Sequence, residues 1–300
     1  FPLLFAQEAR RQGHRIVAIA LAGITDPALA MHVDEFHPFR LGQVGGPLKV
    51  LKKAGVRRAV MAGKVQHASL FGGILPDLRA IKLLAGLRDR RTDTLLKAVA
   101  DEFAREGIEL LSSATFLAHM MPAAGVLSRR RPTKAESRDI EFGWEAAKAV
   151  SGFDIGQSVA VRGRAVIAVE AMEGTDAMLL RAADIVRNAG GAVPSPAANA
   201  DPKGGRDGGP SGHGAAGQPT GLVLVKVAKP RQDFRFDLPV LGLETLAALE
   251  LAGAAALAFE AGKTLLFDRE EFLRRADELG LAVVAADGAG AAAPAGDERS

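Results

Sequence analysis

Short apolar runs rich in Val, Ile, Leu and Ala alternate along this chain with segments whose apolar residues recur at helical spacing. That alternation confines the fold to parallel strands joined by crossover helices. In the first half the strands are Arg15 to Leu21 (RIVAIAL), Arg57 to Ala62 (RRAVMA) and Ile108 to Leu111, and the helices are Gly46 to Lys53, Asp77 to Leu87 and Thr92 to Glu106. A further helical pattern runs from Phe1 through Gln12. Pro122 and Gly125 then break the alternation, and a long helix predicted from Thr133 to Val150 bridges to a second domain. Thr133 and Glu136 have the spacing of a capping box.

The second half opens with two β-rich runs, Gln157 to Val161 and Ala165 to Glu170, separated by Arg162, Gly163 and Arg164, which is the turn chemistry of a hairpin. A helix from Asp176 to Asn188 follows. Gly190 to Thr220 is Gly, Pro, Ala and Ser with few large apolar residues, too little to offset its ordering entropy, and reads as a flexible insert. The alternation resumes with strands at Leu222 to Val225, Ala256 to Glu260 and Leu281 to Ala285 and helices at Leu243 to Ala252 and Arg269 to Leu279. The predicted class is α/β in two domains: residues 1–132, a Rossmann-like parallel sheet with helices, and residues 133–287, a mixed α/β domain carrying the insert 190–220. Residues 288–300 read as a disordered tail.

Composition removes several function classes. The 300 residues hold no cysteine, which excludes disulfides, thiolate metal sites and a cysteine nucleophile, and is consistent with a cytoplasmic location. No window reaches the roughly 18 uninterrupted apolar residues of a membrane span. The formal charge of +3 comes from interspersed acids and bases, and the basic clusters at 88–91 and 129–131 lack interleaved aromatics. With no tyrosine in the chain, stacking platforms for nucleic acid are scarce, and anionic small molecules or a membrane surface suit the surplus better. The histidines show no HxxxH or HExxH spacing for zinc, and no GxSxG elbow supports a serine nucleophile.

The densest chemistry follows the strand at Leu222 to Val225. Lys226, Lys229, Arg231, Gln232, Asp233, Arg235 and Asp237 gather where a strand gives way to a loop, the usual place for function in an α/β protein. Lysines and arginines suit phosphate oxygens and carboxylates suit a hard divalent cation, so the run suggests a phosphate ester handled with a metal; a solvated charged loop is the plainer reading. Two glycine turns, Gly42 with Gln43 through Gly46 and Gly63 with Lys64, are either phosphate cradles or ordinary tight turns, since neither matches a dinucleotide or P-loop fingerprint. Glu170, Glu173, Gly174, Thr175 and Asp176 place carboxylates and a hydroxyl at a strand-to-helix corner, where Thr175 or Asp176 also suits a helix cap.

Blocks spread in order along the chain carry a resemblance: FPLL at the start, RLGQxGxxLxxLKxxGV at 40–56, VMAGxVxxxSL at 60–70, PDLRxIxLL at 76–84, GVLxxRxPT at 125–133, FDIGQSVAV at 153–161, VEAxEGTDAML at 169–179 and LVKxxKPxQDxRFDLPxxG at 224–242. The sequence resembles the LpxI family, UDP-2,3-diacylglucosamine pyrophosphatases of lipid A biosynthesis. Members of that family carry a strand and a glycine-rich turn before the FP pair, and these are lacking here. The resemblance implies hydrolysis of UDP-2,3-diacylglucosamine to UMP and 2,3-diacylglucosamine 1-phosphate (lipid X), assisted by Mg2+. It also implies an N-terminal UDP-binding domain and a C-terminal domain for the acylated sugar phosphate. On that basis Asp237 is the first catalytic candidate, with Asp233 as second metal ligand or orienting group. Lys226, Lys229, Arg235 and Gln232 would hold phosphate. Glu173, Gly174, Thr175 and Asp176 would form another wall, and Gly42, Gln43, Gly63 and Lys64 would lie along the nucleotide. Transient contact with the cytoplasmic face of the inner membrane and no nucleic-acid partner are expected, with a homodimer left open. The alternative is a nucleotide-sugar binding protein or another α/β enzyme without this activity.

Overall fold

The computed structural model describes residues 1–63, 76–87, 92–190, 220–230 and 232–287. The predicted tail, Lys64 and Arg231 lie outside the described residues, as does the insert apart from Gly190 and Thr220. Contacts divide the chain into two compact units, Phe1–Leu117 with Asp233–Asp237, and Ala118–Gln232 with Leu238–Ser300.

In the first unit, helix α1 (Pro2–Arg11) starts on a proline whose fixed φ suits a first helical turn, and it buries Ala6 and Ala9. Strand β1 (Val17–Leu21) pairs in parallel with β2 (Glu35–Phe39), and β3 (Arg58–Val60) with β4 (Glu109–Leu111). Parallel pairing is as the alternation predicts, but it forms two separate two-stranded ladders among the described residues. Strand β2 escapes sequence reading because EFHPF contains a proline and has no apolar run. Helices α2 (Gly45–Lys53), α3 (Leu78–Ala85) and α4 (Thr92–Arg105) also belong to this unit. Among the described residues, one of its buried apolar clusters is Leu48, Leu51 and Ile108, with Val17, Ile19, Val56 and Phe103 against them.

The second unit is organised on a mixed six-stranded sheet. Its strands are β5 (Gly125–Val126), β6 (Ser158–Arg162), β7 (Ala165–Val169), β8 (Val223–Lys226), β10 (Ala256–Glu260) and β12 (Ala282–Ala286), in the order β5-β12-β10-β8-β6-β7. The central three, β12, β10 and β8, are parallel, and β5, β6 and β7 join antiparallel. Because β5 pairs with β12, the stretch from 118 to the predicted boundary at 132 belongs with this sheet. Two-residue strands β9 (Val240–Leu241) and β11 (Leu265–Leu266) form a separate parallel ladder.

Side-chain alternation sorts the sheet into two apolar faces. Val159, Val161, Val223, Val225, Ala256, Ala258, Ala282 and Val284 face helix α5 (Lys134–Gly152), which buries Ile140, Trp144 and Ala147 on them. The helix read as a bridge is therefore the cover of one sheet face. Its capping box is formed: Thr133 Oγ1 accepts from the Glu136 amide at 3.2 Å and Glu136 Oε2 from the Thr133 amide at 2.8 Å. Ala160, Leu222, Leu224, Leu257, Phe259 and Val283 point the other way, into α6 (Thr175–Asn188), α7 (Leu243–Ala252) and α8 (Arg269–Glu278). The α/β sandwich so formed leaves the C-terminal ends of β8 and β10 at one edge, where an α/β sheet places its ligands.

Candidate active site

The run from Lys226 to Asp237 is parted between the two units. Lys226, Lys229 and Gln232 belong to the second, and Asp233, Arg235 and Asp237 to the first. In the first unit residues 233–237 form one helical turn, with the Phe236 and Asp237 amides donating to the Asp233 carbonyl at 3.0 and 3.2 Å. Ser112 and Ser113, just past β4, hold that turn, Ser112 Oγ lying 3.4 Å from the Phe234 carbonyl. The Ser113 amide donates to the Phe234 carbonyl at 2.7 Å, and Ser113 Oγ lies 3.2 Å from the Arg235 carbonyl and 2.8 Å from that of Met61, just past β3. The turn thus sits at the C-terminal ends of two paired parallel strands.

Within it, Asp233 and Arg235 are bound to each other. The Arg235 guanidinium donates Nε to Asp233 Oδ1 at 2.9 Å and its second nitrogen to Oδ2 at 2.7 Å, and its Cζ lies 4.9 Å from the Phe236 ring centre. That guanidinium is the main reason the Asp233 carboxyl titrates below its ordinary range, and the Arg235 amide, 3.1 Å from Oδ1, adds to it. Asp237 is exposed.

The glycine turns are described in the same unit. Gly42 adopts φ 94° and Gln43 Oε1 accepts from the Arg40 amide at 2.8 Å. The amides at the start of α2, which an anion would use, are taken by Asp77: its Oδ2 accepts from Val44 at 3.0 Å and Gly45 at 2.7 Å, while Oδ1 accepts from Ala80 and caps α3. Burial pushes the Asp77 carboxyl up, and these amide bonds outweigh it and hold it below its usual range. A carboxylate of the protein thus occupies the α2 N-terminus that the sequence offered to a phosphate. Gly63, at φ 108°, lies where an added Cβ would come 3.2 Å from Pro2 Cγ. Its neighbour Lys64 lies outside the described residues.

In the second unit a buried polar cluster surrounds the end of β8. Lys226, only 6% exposed, sends Nζ to Thr175 Oγ1 at 2.8 Å. Thr175 in turn donates to Glu170 Oε1 at 2.9 Å, and Ser158 Oγ is 3.3 Å away. An ammonium only donates and a carboxylate only accepts, so the proton order runs from Lys226 to Thr175 to Glu170, with Ser158 donating to the remaining Thr175 lone pair. Gly156 brings the Glu170 strand end in: a Cβ there would stand 2.0 Å from the Glu170 carbonyl oxygen. Ser158 and Glu170 carry more of this cluster than the sequence reading assigned them, since Ser158 looks like any strand residue until pairing sets it opposite Lys226.

The other predicted residues of this corner are held as follows. Gly174, with φ 87°, is the N-cap of α6, and neither the Thr175 nor the Asp176 side chain caps that helix. Asp176 Oδ1 and Gln157 Oε1 are buried oxygens with no hydrogen-bond partner among the described residues. Glu173 pairs with Arg181 at 2.6 Å, chiefly for which reason its carboxyl lies below the ordinary range. Lys229 pairs with Asp154, and its amide donates to Gln232 Oε1 at 2.8 Å.

The two carboxylates predicted to hold a divalent cation, Asp233 and Asp237, lie on one turn. Both Asp233 oxygens accept from Arg235, Asp237 is exposed, and the described residues hold no group of three or more His, Asp or Glu arranged for a metal. That donor set suits Mg2+, which is commonly bound through one or two carboxylates with phosphate oxygens and waters completing its shell.

Comparison with known proteins covers most of the chain. The LpxI N-terminal domain family matches residues 1–120 and the LpxI C-terminal domain family matches residues 123–284. The UDP-2,3-diacylglucosamine pyrophosphatase LpxI of Caulobacter vibrioides is 32% identical over 289 residues, covering 95% of this chain and 94% of that protein.

Proposed function

The chain belongs to the LpxI family, and from that premise we propose that it hydrolyses the pyrophosphate bond of UDP-2,3-diacylglucosamine, yielding UMP and 2,3-diacylglucosamine 1-phosphate in lipid A biosynthesis. The carrying observation is the 32% identity to a UDP-2,3-diacylglucosamine pyrophosphatase across 95% of the chain. A pyrophosphate resists attack by water because its charge repels the nucleophile and the leaving phosphate departs as an anion. Catalysis therefore asks for cations on the bridging and terminal oxygens and a carboxylate to position water or metal.

Each requirement has a candidate. Lys226 and Lys229 offer ammonium groups to the phosphates, and Lys226 is fixed by Thr175 so that its direction is set before substrate arrives. Asp237 is the carboxylate assigned to the reacting centre. Asp233 orients Arg235 through its two-point contact, and Arg235 supplies a further cation. When bound, Mg2+ would neutralise the pyrophosphate, with Asp237 as its first protein ligand and Asp233 available only by giving up Arg235. The nucleotide is assigned to the glycine turns around Gly42 and Gly63, and the acylated sugar phosphate to the corner at Glu173, Gly174, Thr175 and Asp176. No helix among the described residues is long and apolar enough to cross a membrane. The diacylated substrate is then met by transient contact with the cytoplasmic face of a membrane.

Incubation with UDP-2,3-diacylglucosamine, with and without Mg2+, tests the assignment through release of UMP. Wild-type protein is expected to release UMP, and Asp237→Ala to fold normally and lose release by about a hundredfold or more, the scale of losing a group that acts on the transition state. Near-normal turnover by Asp237→Ala would remove Asp237 from the chemistry.

A further inference from the structure

Where β8 ends, the chain leaves the sheet ladder and its next peptide groups need other partners. Ala228, 1% exposed, finds both at once: its amide donates to Glu260 Oε2 at 2.8 Å and its carbonyl accepts from Lys148 Nζ at 3.0 Å. The two clamping groups also hold each other, Lys148 Nζ to Glu260 Oε2 at 2.6 Å. Each is fixed in its own element. Glu260 closes β10 with a side chain 5% exposed, and its other oxygen takes Lys263 Nζ at 2.8 Å. Lys148 rises from α5 past Trp144, its Nζ 5.5 Å from the ring centre.

A buried ion pair is a poor way to stabilise a core, because desolvation offsets most of its attraction. It is an effective way to fix one peptide in one place, since it supplies a directed acceptor and a directed donor on rigid supports. We propose that Lys148 and Glu260 are positioning residues that hold the loop Val227–Pro230 and thereby aim Lys226 and Lys229 at the substrate's phosphates. The inference rests on the pyrophosphatase reading above, which supplies the reaction in which those lysines act. Neither Lys148 nor Glu260 stands in any of the sequence motifs that mark the site.

The test compares Lys148→Met, Lys148→Arg and Glu260→Gln with wild type, at a temperature where each is folded by circular dichroism. With wild type releasing UMP, Lys148→Met and Glu260→Gln are expected to lose about tenfold or more in kcat while KM changes less than about threefold, the signature of misplaced groups. Lys148→Arg, which keeps a cationic donor, is expected to recover to within about threefold of wild type. A folded Lys148→Met with wild-type kcat overturns the proposal. So does an equal loss in Lys148→Met and Lys148→Arg, and so does failure of both Lys148→Met and Glu260→Gln to fold, which would make the pair a support of the core. If wild type releases no UMP, the pyrophosphatase reading itself fails.

Discussion

At the residue scale, two side chains carry the sharpest expectations. Thr175 accepts from Lys226 and donates to Glu170, so its hydroxyl is a hub for the cluster rather than a group offered outward. Thr175→Val keeps the shape and removes these bonds and the one from Ser158, at a cost of about 1–3 kcal/mol for each buried polar group left unmatched. UMP release is expected to fall at least tenfold in that variant, on the scale of a misplaced site group, and to stay near wild type in Thr175→Ser. Glu260 gives a pH dependence. Burial pushes its carboxyl up, but the bonds from Lys148, Lys263 and the Ala228 amide outweigh it, and its folded pKa lies below the ordinary value. A depressed folded pKa means that the unfolded chain binds the proton more readily. Its contribution is therefore complete above the unfolded value near pH 4.3 and lost as pH falls through the folded one. Chemical denaturation of Glu260→Gln at stepped pH should show a weaker decline in stability below about pH 4 than wild type. Parallel declines would exclude Glu260 as a source of the acid sensitivity.

At the element scale, the long helix α5 lies on its sheet through Gly143. A Cβ at that position would stand 2.7 Å from Val225 Cγ2 and 3.0 Å from Val161 Cγ2, both in the buried face of the sheet. Alanine favours a helix over glycine by about 1 kcal/mol. Forcing a methyl into a filled core costs about 1–3 kcal/mol, so the clash should prevail. Thermal unfolding of Gly143→Ala is expected to show a net loss of stability; a gain would mean that the helix can lift at no cost. The same helix pins the β6–β7 hairpin. Gly163 and Arg164 both have φ near 58°, the backbone of a type I′ turn, and Asp139 Oδ2 and Oδ1 accept from their amides at 2.8 and 2.6 Å. The turn was legible in the Arg-Gly-Arg sequence. Its carboxylate partner was not, because Asp139 lies on another element and looks like a solvated helix residue until α5 docks.

For the whole molecule, the insert allows a prediction from composition alone. Thr220, expected to be part of it, is instead buried, with Oγ1 donating to the Ala252 carbonyl at 2.9 Å and its amide to the Gly253 carbonyl at 2.8 Å. Replacing 192–219 by a short linker and keeping Thr220 should leave the melting temperature within about 2 °C and UMP release unchanged. A fall beyond that, or lost turnover, would show that the segment contributes to the folded state. The alternation of apolar runs and helical periods, by itself, determined the α/β class, most of the elements and the parallel pairing of β3 with β4 and among β8, β10 and β12, because each depends on local spacing and on which face can be buried. It also marked the charged run at 226–237 and the corner at 170–176, because charge at the end of an apolar strand is visible in one dimension. Only the tertiary structure decided what those residues touch. It gave Asp77 to the α2 amides, Arg235 to Asp233, Thr175 to Lys226, and Lys148 with Glu260 to Ala228, and it placed residues 233–237 with the first unit. These partners stand 2 to 112 positions apart in the sequence, and beyond the next helical turn no local rule of spacing reaches across such separations; a hydrogen bond forms only where folding has already closed the distance.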